Sequence, residues 1–340
     1  MHKFKNVLFI VSTDCPNGTA LGHSVTLATK NQARLTLVKV IDEIPPDQAS
    51  TSEGFKGKIL AEHLMELEKL AESKSSQIEI ETRVLTGTPV MEIIRTVLDK
   101  GYDLVVKPAQ SGDLPDRLFG NDDMQLLRAC PCPLWLINTK SSKSYRRILA
   151  AVDVGYFYSP EELETIRLLN LQILEISGAM ALSENAGLDV AHAMELFGQS
   201  AERYDNSDEY EVIGEIALNI DYEDTPKEKP GVYAAEVRQK HRQNMNALID
   251  ETIGKLEPEV FERINPEAHL IFGSPRKKIP EFVNQLGVDL VVMGTVNHTG
   301  IDEVFIGNTA ETIFKNLNCS VLAIKPPGFE TPVTLESSHF

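Results

Sequence analysis

One stretch of the sequence looks like a phosphate-binding loop that leads into a helix, with asparagine at two of the positions on which such a loop relies. The stretch VVMGTVNHTGIDEVFIGNTAETIFKNLNCSVLAIK contains Gly294, Asn297, Gly307 and Asn308, and a segment of helical composition follows. Glycine lets backbone N–H groups approach phosphate oxygens because no Cβ stands in the way, and the N-terminus of a following helix adds its dipole. Asparagine tolerates left-handed backbone better than most residues, and its amide can donate a hydrogen bond. These residue types therefore allow an anion to bind at this loop.

The residues after Gly307 also favour an interpretation that needs no ligand. Asn308, followed by Thr309 and then Glu311, predicts an N-cap with a capping-box partner whether or not an anion is present. Asp302 and Glu303 add negative charge to the loop and count against tight binding of phosphate. A cap alone and a cap with a phosphate contact both stay open at this point.

The remaining reactive residue types do not form a catalytic pattern. No two of the 8 histidines have the i, i+4 spacing of a helical metal site. His298 lies in the candidate loop, where it could approach a phosphate, whereas His192 and His269 lie in predicted strands and are expected to be satisfied core residues. The pair Cys130 and Cys132 has one intervening residue and no second pair, so a structural role is expected. The sequence therefore predicts a protein that is not an enzyme and holds no metal.

The elements that would position the loop occur twice in the chain. NVLFIVS, from Asn6, is similar to RILAAVD, from Arg147, and DLVVKP, from Asp103, is similar to DLVVMG, from Asp289. The turns TGTP and FGSP, the pairs FGN and IGN, and the runs CPLWLIN and CSVLAIK repeat in the same order. Such internal similarity indicates two tandem copies of one domain.

Each copy alternates apolar, strand-like runs with segments of helical period, which favours a mainly parallel sheet with helices on both faces. Thr88-Pro89 predicts the start of one helix, and Ser159-Pro160 with Glu162 predicts a capping box at the start of another. We therefore predict an α/β fold with two doubly wound domains. At 340 residues the chain is long enough for both domains to bury a core.

The predicted domains cover residues 1–143 and 144–326, with a C-terminal tail at 327–340. The second domain is longer because it contains an insertion before the strand at His269. Part of the insertion, Glu202–Asp224, is strongly acidic and is expected to form a solvated surface, although a partner-binding role stays open. The stretch that follows it, starting at Ala234, is predicted to be helical.

Composition excludes several broad classes of function. The formal net charge of −17 argues against general binding to the phosphate backbone of nucleic acid, because affinity for nucleic acid depends on Lys and Arg that neutralise phosphates. No run reaches the ~18 apolar residues of a membrane-spanning helix, so no membrane insertion is expected. The 4 scattered cysteines are consistent with a reducing compartment, and we predict a cytoplasmic protein.

The repeated turns, the DLVVMGTVNHTG segment, the FIGNTAETI helix and the ending KPPGFETPVTLE together resemble the universal stress protein family. The resemblance covers nearly the whole chain. It implies two five-stranded sheets of the universal-stress-protein type, similar to adenine nucleotide alpha hydrolases. They are expected to pair as an intramolecular pseudo-dimer with CPLWLIN and CSVLAIK near the interface. A homodimer of the whole chain stays open.

The resemblance also implies a nucleotide site in the second half. Nucleotide-binding members carry an aspartate at the end of the first strand, near the adenosine, and Asp153 matches it. Their glycine pattern matches Gly294 and Gly307, but Asn297 and Asn308 replace a glycine and a hydroxyl residue. Thr309, the residue after Asn308, and His298 are the remaining candidate binding residues.

The first half departs further from that pattern. Ser12 replaces the aspartate, Pro108 replaces the first glycine, and only Gly120 remains. Asp122 and Asp123 then stand in the first turn of the helix, where they take the electrostatic role that a phosphate would have. No nucleotide is expected in this half.

The function implied is that of a stress-response protein acting as a binding or regulatory module. ATP or another adenine nucleotide, bound weakly in the second half, is the leading ligand, and no cofactor is required. An apolar or amphipathic small molecule in the second half is one alternative. Slow ATP hydrolysis is another, ranked lower because no general base or pair of metal-binding carboxylates is evident near the loop.

Overall fold

A computed structural model describes the chain over residues 4–13, 16–43, 53–74, 78–109, 118–140, 144–195, 230–295 and 307–335. The strands, in chain order, are β1 (Asn6–Ile10), β2 (Arg34–Ile41), β3 (Ile80–Thr86), β4 (Leu104–Pro108), β5 (Leu134–Ile137), β6 (Arg147–Ala151), β7 (Gly187–Met194), β8 (Glu267–Phe272), β9 (Leu290–Gly294) and β10 (Ser320–Ile324). The helices are α1 (Gly18–Asn31), α2 (Glu53–Glu72), α3 (Pro89–Lys100), α4 (Asn121–Ala129), α5 (Pro160–Glu184), α6 (Pro230–Thr252), α7 (Pro258–Ile264), α8 (Pro275–Leu286) and α9 (Asn308–Asn316).

The strands form one 10-stranded sheet in the order β3-β2-β1-β4-β5-β10-β9-β6-β7-β8. All neighbours pair in parallel except β5 and β10, which are antiparallel with Trp135 opposite Leu322. The predicted placement of CPLWLIN and CSVLAIK at the interface is therefore confirmed. The pairing joins the two predicted five-stranded sheets edge to edge into one continuous sheet.

Helices cover both faces of this sheet, as expected for strands buried on both sides. One apolar layer packs under α1, α2, α5, α6 and α7, and the other under α3, α4, α8 and α9. The helix starts follow the sequence signals. Pro89 opens α3 after Thr88, and the Ser159 side chain accepts a hydrogen bond from the backbone N–H of Glu162 in a capping box.

Side-chain contacts between the halves reinforce the β5–β10 pairing. His23 of α1 stacks on Tyr145 with 4.4 Å between ring centroids, and its Nδ1 lies 3.2 Å from Oε1 of Glu184 on α5. The Lys325 ammonium, just after β10, donates to the carbonyl oxygens of Leu127 and Arg128 at the end of α4. Burial lowers the pKa of Lys325 to about 8.

The insertion of the second half returns to the sheet through α6, which confirms the helix predicted from Ala234 onward. The acidic stretch 202–224 lies outside the described residues. Among the described helices, none is both long enough and apolar enough to cross a membrane.

Candidate functional site

A cavity of about 110 Å³ lies where the carboxyl ends of β6 and β9 meet the first turn of α9. Parallel sheets commonly place ligand sites at this edge, beyond the ends of the strands. The lining is mostly aliphatic, with a few polar groups: Asp153, Asn170, His192 and Thr309. Three of the residues predicted from the sequence, Asp153, Gly294 and Thr309, are thus brought to one cavity.

Asp153 is held in place by the loop that follows β6. Its Oδ1 accepts the backbone N–H of Gly155 at 2.9 Å, and its Oδ2 accepts the Tyr158 hydroxyl at 2.8 Å. The Asn170 side chain on α5 fixes the backbone of Asp153, because its Oδ1 accepts that residue's N–H and its Nδ2 donates to the carbonyl oxygen at 2.6 Å. The carboxylate is therefore preorganised while its side chain remains 25% exposed.

Two titratable neighbours share the environment of Asp153. Burial and the nearby negative charge raise the pKa of the Tyr158 hydroxyl, so it remains a hydrogen-bond donor at neutral pH. His192 Nδ1 lies 3.6 Å from Asp153 Oδ1, and burial lowers the pKa of this imidazole despite the attraction of the carboxylate. His192 is buried as predicted, but it is not fully satisfied, because its Nε2 has no hydrogen-bond partner among the described residues. Its ring stacks on His241 of α6 at 5.0 Å between centroids.

Gly294, the last residue of β9, has a packing role that requires no ligand. A Cβ at this position would lie 2.7 Å from Cδ2 of Leu169 on α5, well inside normal contact distance. The glycine therefore permits α5 to approach the end of β9 closely. Its presence is explained by packing as well as by the phosphate interpretation.

The start of α9 differs from the predicted cap. Gly307, not Asn308, is the N-cap, and its N–H donates to the carbonyl oxygen of Thr295 at 2.9 Å. Asn308 is the first helical residue and is exposed. The predicted capping box is wrong because the Glu311 carboxylate instead accepts from Arg128 at 2.7 Å and from Lys315 at 2.6 Å. Two cations draw this side chain away from the helix start.

The sequence did not single out Arg276, which lies beside the first turn of α9. Its Nε lies 3.4 Å from the Thr309 hydroxyl oxygen, to which it donates, and it follows Pro275 in the first turn of α8. The run of basic residues directly after the FGSP turn is the sequence signal by which Arg276 could have been identified. The proposed loop residues Asn297 and His298 lie outside the described residues, as do Asp302 and Glu303.

The corresponding place in the first half contains a buried ion pair. The Lys107 ammonium on β4 lies 2.5 Å from Oδ1 of Asp123 in the first turn of α4, and these side chains are 6% and 0% exposed. The other oxygen of Asp123 accepts the N–H of Gly120 at 3.1 Å. By the repeat, Met293 and Ala310 occupy the positions of Lys107 and Asp123 in the second half, and both line its cavity.

The strand ends of the two halves are otherwise built alike. In the first half the Asn17 side chain accepts the N–H of Ser12 at 2.9 Å and donates to its carbonyl oxygen at 2.8 Å. This matches the way Asn170 holds Asp153 in the second half. The scaffold is thus shared, and the chemical groups placed on it differ.

Comparison with known proteins gives a consistent result. The model of the universal stress protein family matches residues 3–138 and again 144–325. Universal stress protein E of Escherichia coli strain K12 is 31% identical over 77% of this chain and 73% of its own length. Universal stress protein E of Photorhabdus laumondii is 25% identical over 98% of both chains. The crystal structure of a putative universal stress protein from Pseudomonas aeruginosa covers 95% of this chain and 94% of its own, with 22% identity and a TM-score of 0.66. The family model spans both halves of the chain, which therefore belongs to the universal stress protein family.

Proposed function

We propose that this chain is a cytoplasmic stress-response protein that acts as a ligand-binding, regulatory module, with a weak adenine-nucleotide site in its second half. The observation that carries the proposal is the difference at equivalent positions of the two halves. Lys107 and Asp123 fill the first half with a buried ion pair, whereas Met293 and Ala310 leave a cavity beside the start of α9. We take the functional domains as 1–143 and 144–326, with a tail at 327–340.

In this proposal each polar group of the cavity contacts a different part of the nucleotide. The Asp153 carboxylate, already oriented by Tyr158, would accept hydrogen bonds from the ribose hydroxyls of adenosine. The N–H groups in the first turn of α9, at Asn308 and Thr309, would face the phosphates, where the helix dipole favours negative charge. The guanidinium of Arg276, beside Thr309, would add a cation that pairs with phosphate oxygens.

The expected affinity is modest. The cavity of about 110 Å³ is smaller than the ~300 Å³ at the low end of typical ligand pockets, so part of the nucleotide would remain exposed. The net charge of −17 also opposes the approach of a polyanion. Both effects argue for a site that responds to abundant nucleotide rather than one that retains it through purification.

Calorimetric titration with ATP tests the proposal with a matched pair of variants. Gly307→Asp places a carboxylate at the start of α9 and should weaken binding by about 2 kcal/mol or more, roughly 30-fold. Gly120→Asp makes the same change at the equivalent position of the first half and should leave binding unchanged. Loss of binding only in Gly120→Asp, or no binding heat from the wild-type chain, would contradict the proposal.

An apolar or amphipathic ligand is the second candidate, favoured by the aliphatic lining of the cavity. Ile166, Leu169 and Ile173 from α5 face Ile279 and Ile313 from α8 and α9. Native mass spectrometry of freshly purified chain, before and after addition of ATP, separates the candidates. A retained mass of lipid type would favour this second ligand, and an empty chain that gains the mass of added ATP would favour the first.

Slow ATP hydrolysis is the remaining alternative, and we propose that it does not occur. Asp153 is the only acidic residue in the described part of the cavity lining, so no second carboxylate is present there to bind a metal ion. Its carboxylate already accepts hydrogen bonds from Gly155 and Tyr158. The wild-type chain should release phosphate from ATP no faster than Gly307→Asp. A clear excess in the wild-type chain would restore the enzyme hypothesis.

A further inference from the structure

Three side chains with metal-binding chemistry lie on one face of β7 and β8, near the amino ends of these strands. Asp189 of β7 is the direct neighbour of Glu267 on β8, and His269 follows two residues later on the same face. The cavity that we propose for nucleotide lies at the opposite ends of the strands. The predicted role of His269 as a core residue is wrong, because its side chain is 25% exposed and faces Asp189.

The ligand atoms of these side chains already converge. His269 Nε2 lies 2.7 Å from Asp189 Oδ1 and 4.0 Å from Glu267 Oε2, and all three ligand atoms lie within 4.8 Å of one another. Asp189 is buried, whereas the Glu267 side chain is 58% exposed and can turn toward an ion. A surface cavity of about 510 Å³ gives solvent access to Asp189 and Glu267, and His269, which does not line it, is itself 25% exposed.

Arg147 on β6 orients the buried carboxylate. Its Nε donates to Asp189 Oδ2 at 2.7 Å and its Nη2 donates weakly to Oδ1 at 3.4 Å, while Oδ1 also faces His269. Metal sites commonly fix their ligands through such outer hydrogen bonds. With a neutral imidazole, the two carboxylates and the Arg147 guanidinium sum to one negative charge, and Arg146, Arg263 and Asp289 also line the neighbouring surface cavity.

The first half of the chain does not repeat this cluster. The strand registers place Thr36 and Glu81 at the positions of Asp189 and Glu267, and Arg83 at the position of His269. The first half has the same fold without these three residue types, so the fold itself does not require them to meet in the second half.

We propose that Asp189, Glu267 and His269 form a binding site for a divalent transition-metal ion of the zinc class, with water completing the coordination. One imidazole and two carboxylates suit zinc and similar ions, whereas Mg²⁺ prefers oxygen ligands alone. At zinc–ligand distances of about 2.0–2.2 Å, the ligand atoms would lie roughly 3.3 Å apart. The present separations require a small displacement of His269 from Asp189 and a turn of Glu267.

Zinc binding to the metal-stripped, full-length chain, measured by competition with a chromophoric chelator, tests the site. We expect one zinc ion whose affinity falls at least about ten-fold in Glu267→Gln and in His269→Gln, because each variant removes one ligand. The matched control is His63→Gln. His63 also contacts a carboxylate, Glu66, at 3.3 Å, but in the described part of the chain these two residues belong to no group of three metal-binding side chains. The control should change zinc affinity less than about two-fold.

Two results would contradict the zinc-site proposal. Without a metal, the same residues form a salt-bridge network on the edge strand, and zinc affinity would then be equal in the wild-type chain, Glu267→Gln and His269→Gln. That equality would overturn the proposal, and so would displacement of zinc by an equal concentration of Mg²⁺. Melting curves of the metal-free variants confirm folding. If His269→Gln does not fold, Glu267→Gln decides the question, because its side chain is largely exposed.

Discussion

The two halves of this chain place different groups at the same point of the same scaffold. In the first half, Asp123 accepts an N–H at the start of α4 and pairs with Lys107, so a side chain supplies the anion that the helix start attracts. In the second half, Ala310 and Met293 supply neither charge, and a cavity with Asp153 at its edge lies in their place. The comparison teaches that a side chain of the protein itself can supply the negative charge that a helix start attracts.

Removing one partner of the buried pair should have the largest effect on stability. In Lys107→Met, the Asp123 carboxylate remains buried without its counter-ion, and we expect the free energy of unfolding to fall by about 3–5 kcal/mol. Urea unfolding measures the change. The exposed pair of Lys100 and Asp99 offers the control, since Lys100→Met should cost less than about 1 kcal/mol.

A double variant sharpens this prediction. Lys107→Met with Asp123→Ala gives the first half the residues of the second, and should recover most of the stability lost in Lys107→Met, because no charge is left unpaired. A double variant as unstable as Lys107→Met would show that the ion pair is not the source of the loss.

The next largest effect is expected at the end of β9. Gly294→Ala would place its Cβ 2.7 Å from the Leu169 side chain, and the overpacking should lower the free energy of unfolding by about 1–3 kcal/mol without any ligand. Adding Leu169→Ala should relieve the clash. The two substitutions would then be non-additive in thermal or urea unfolding, and strict additivity would contradict the packing role of Gly294.

A smaller effect is expected from the hydroxyl that orients Asp153. Tyr158→Phe removes the 2.8 Å hydrogen bond to its carboxylate and should cost about 1 kcal/mol of stability. It should also weaken ATP binding in calorimetric titration, since the carboxylate loses one of the hydrogen bonds that orient it. Unchanged ATP affinity would show that Asp153 does not contact the ligand.

The smallest effect concerns the link between the corresponding helices α4 and α9. Hydrogen bonds from Lys315 and Arg128 lower the pKa of Glu311 below its usual 4.5, despite the opposing effect of burial. The folded chain therefore keeps this carboxylate ionised at pH values where the unfolded chain binds a proton, and the stabilisation is lost as pH falls through and below about 4.5. Glu311→Gln should be about 0.5–1 kcal/mol less stable at pH 7. The difference should vanish in acid, and a difference that persists there would contradict the pairing.

The fold could be predicted from sequence because its signals are local or repeated. The capping box at Ser159, the Thr88-Pro89 helix start and the paired strand motifs are each readable within a few residues. The join between β5 and β10 followed only from the resemblance, because edge pairing between sheets leaves no short-range pattern.

The candidate site was predictable only in part, because its decisive contacts join distant residues. Leu169 against Gly294 and Arg276 against Thr309 depend on how helices pack. The helix start was misassigned by one residue, since Glu311 had an alternative partner on another helix that the sequence does not reveal. Aligning the repeats would have exposed one signal, the replacement of Lys107 and Asp123 by an apolar pair.

Moving the ion pair of the first half into the second tests the central claim most directly. Met293→Lys with Ala310→Asp would place a carboxylate in the first turn of α9 and a lysine at the end of β9, the positions of Asp123 and Lys107 in the first half. Calorimetric titration with ATP should show binding by the wild-type chain and a loss of at least about 30-fold in this folded double variant, because the carboxylate occupies the anion position. Equal ATP affinity in the two chains would contradict the account.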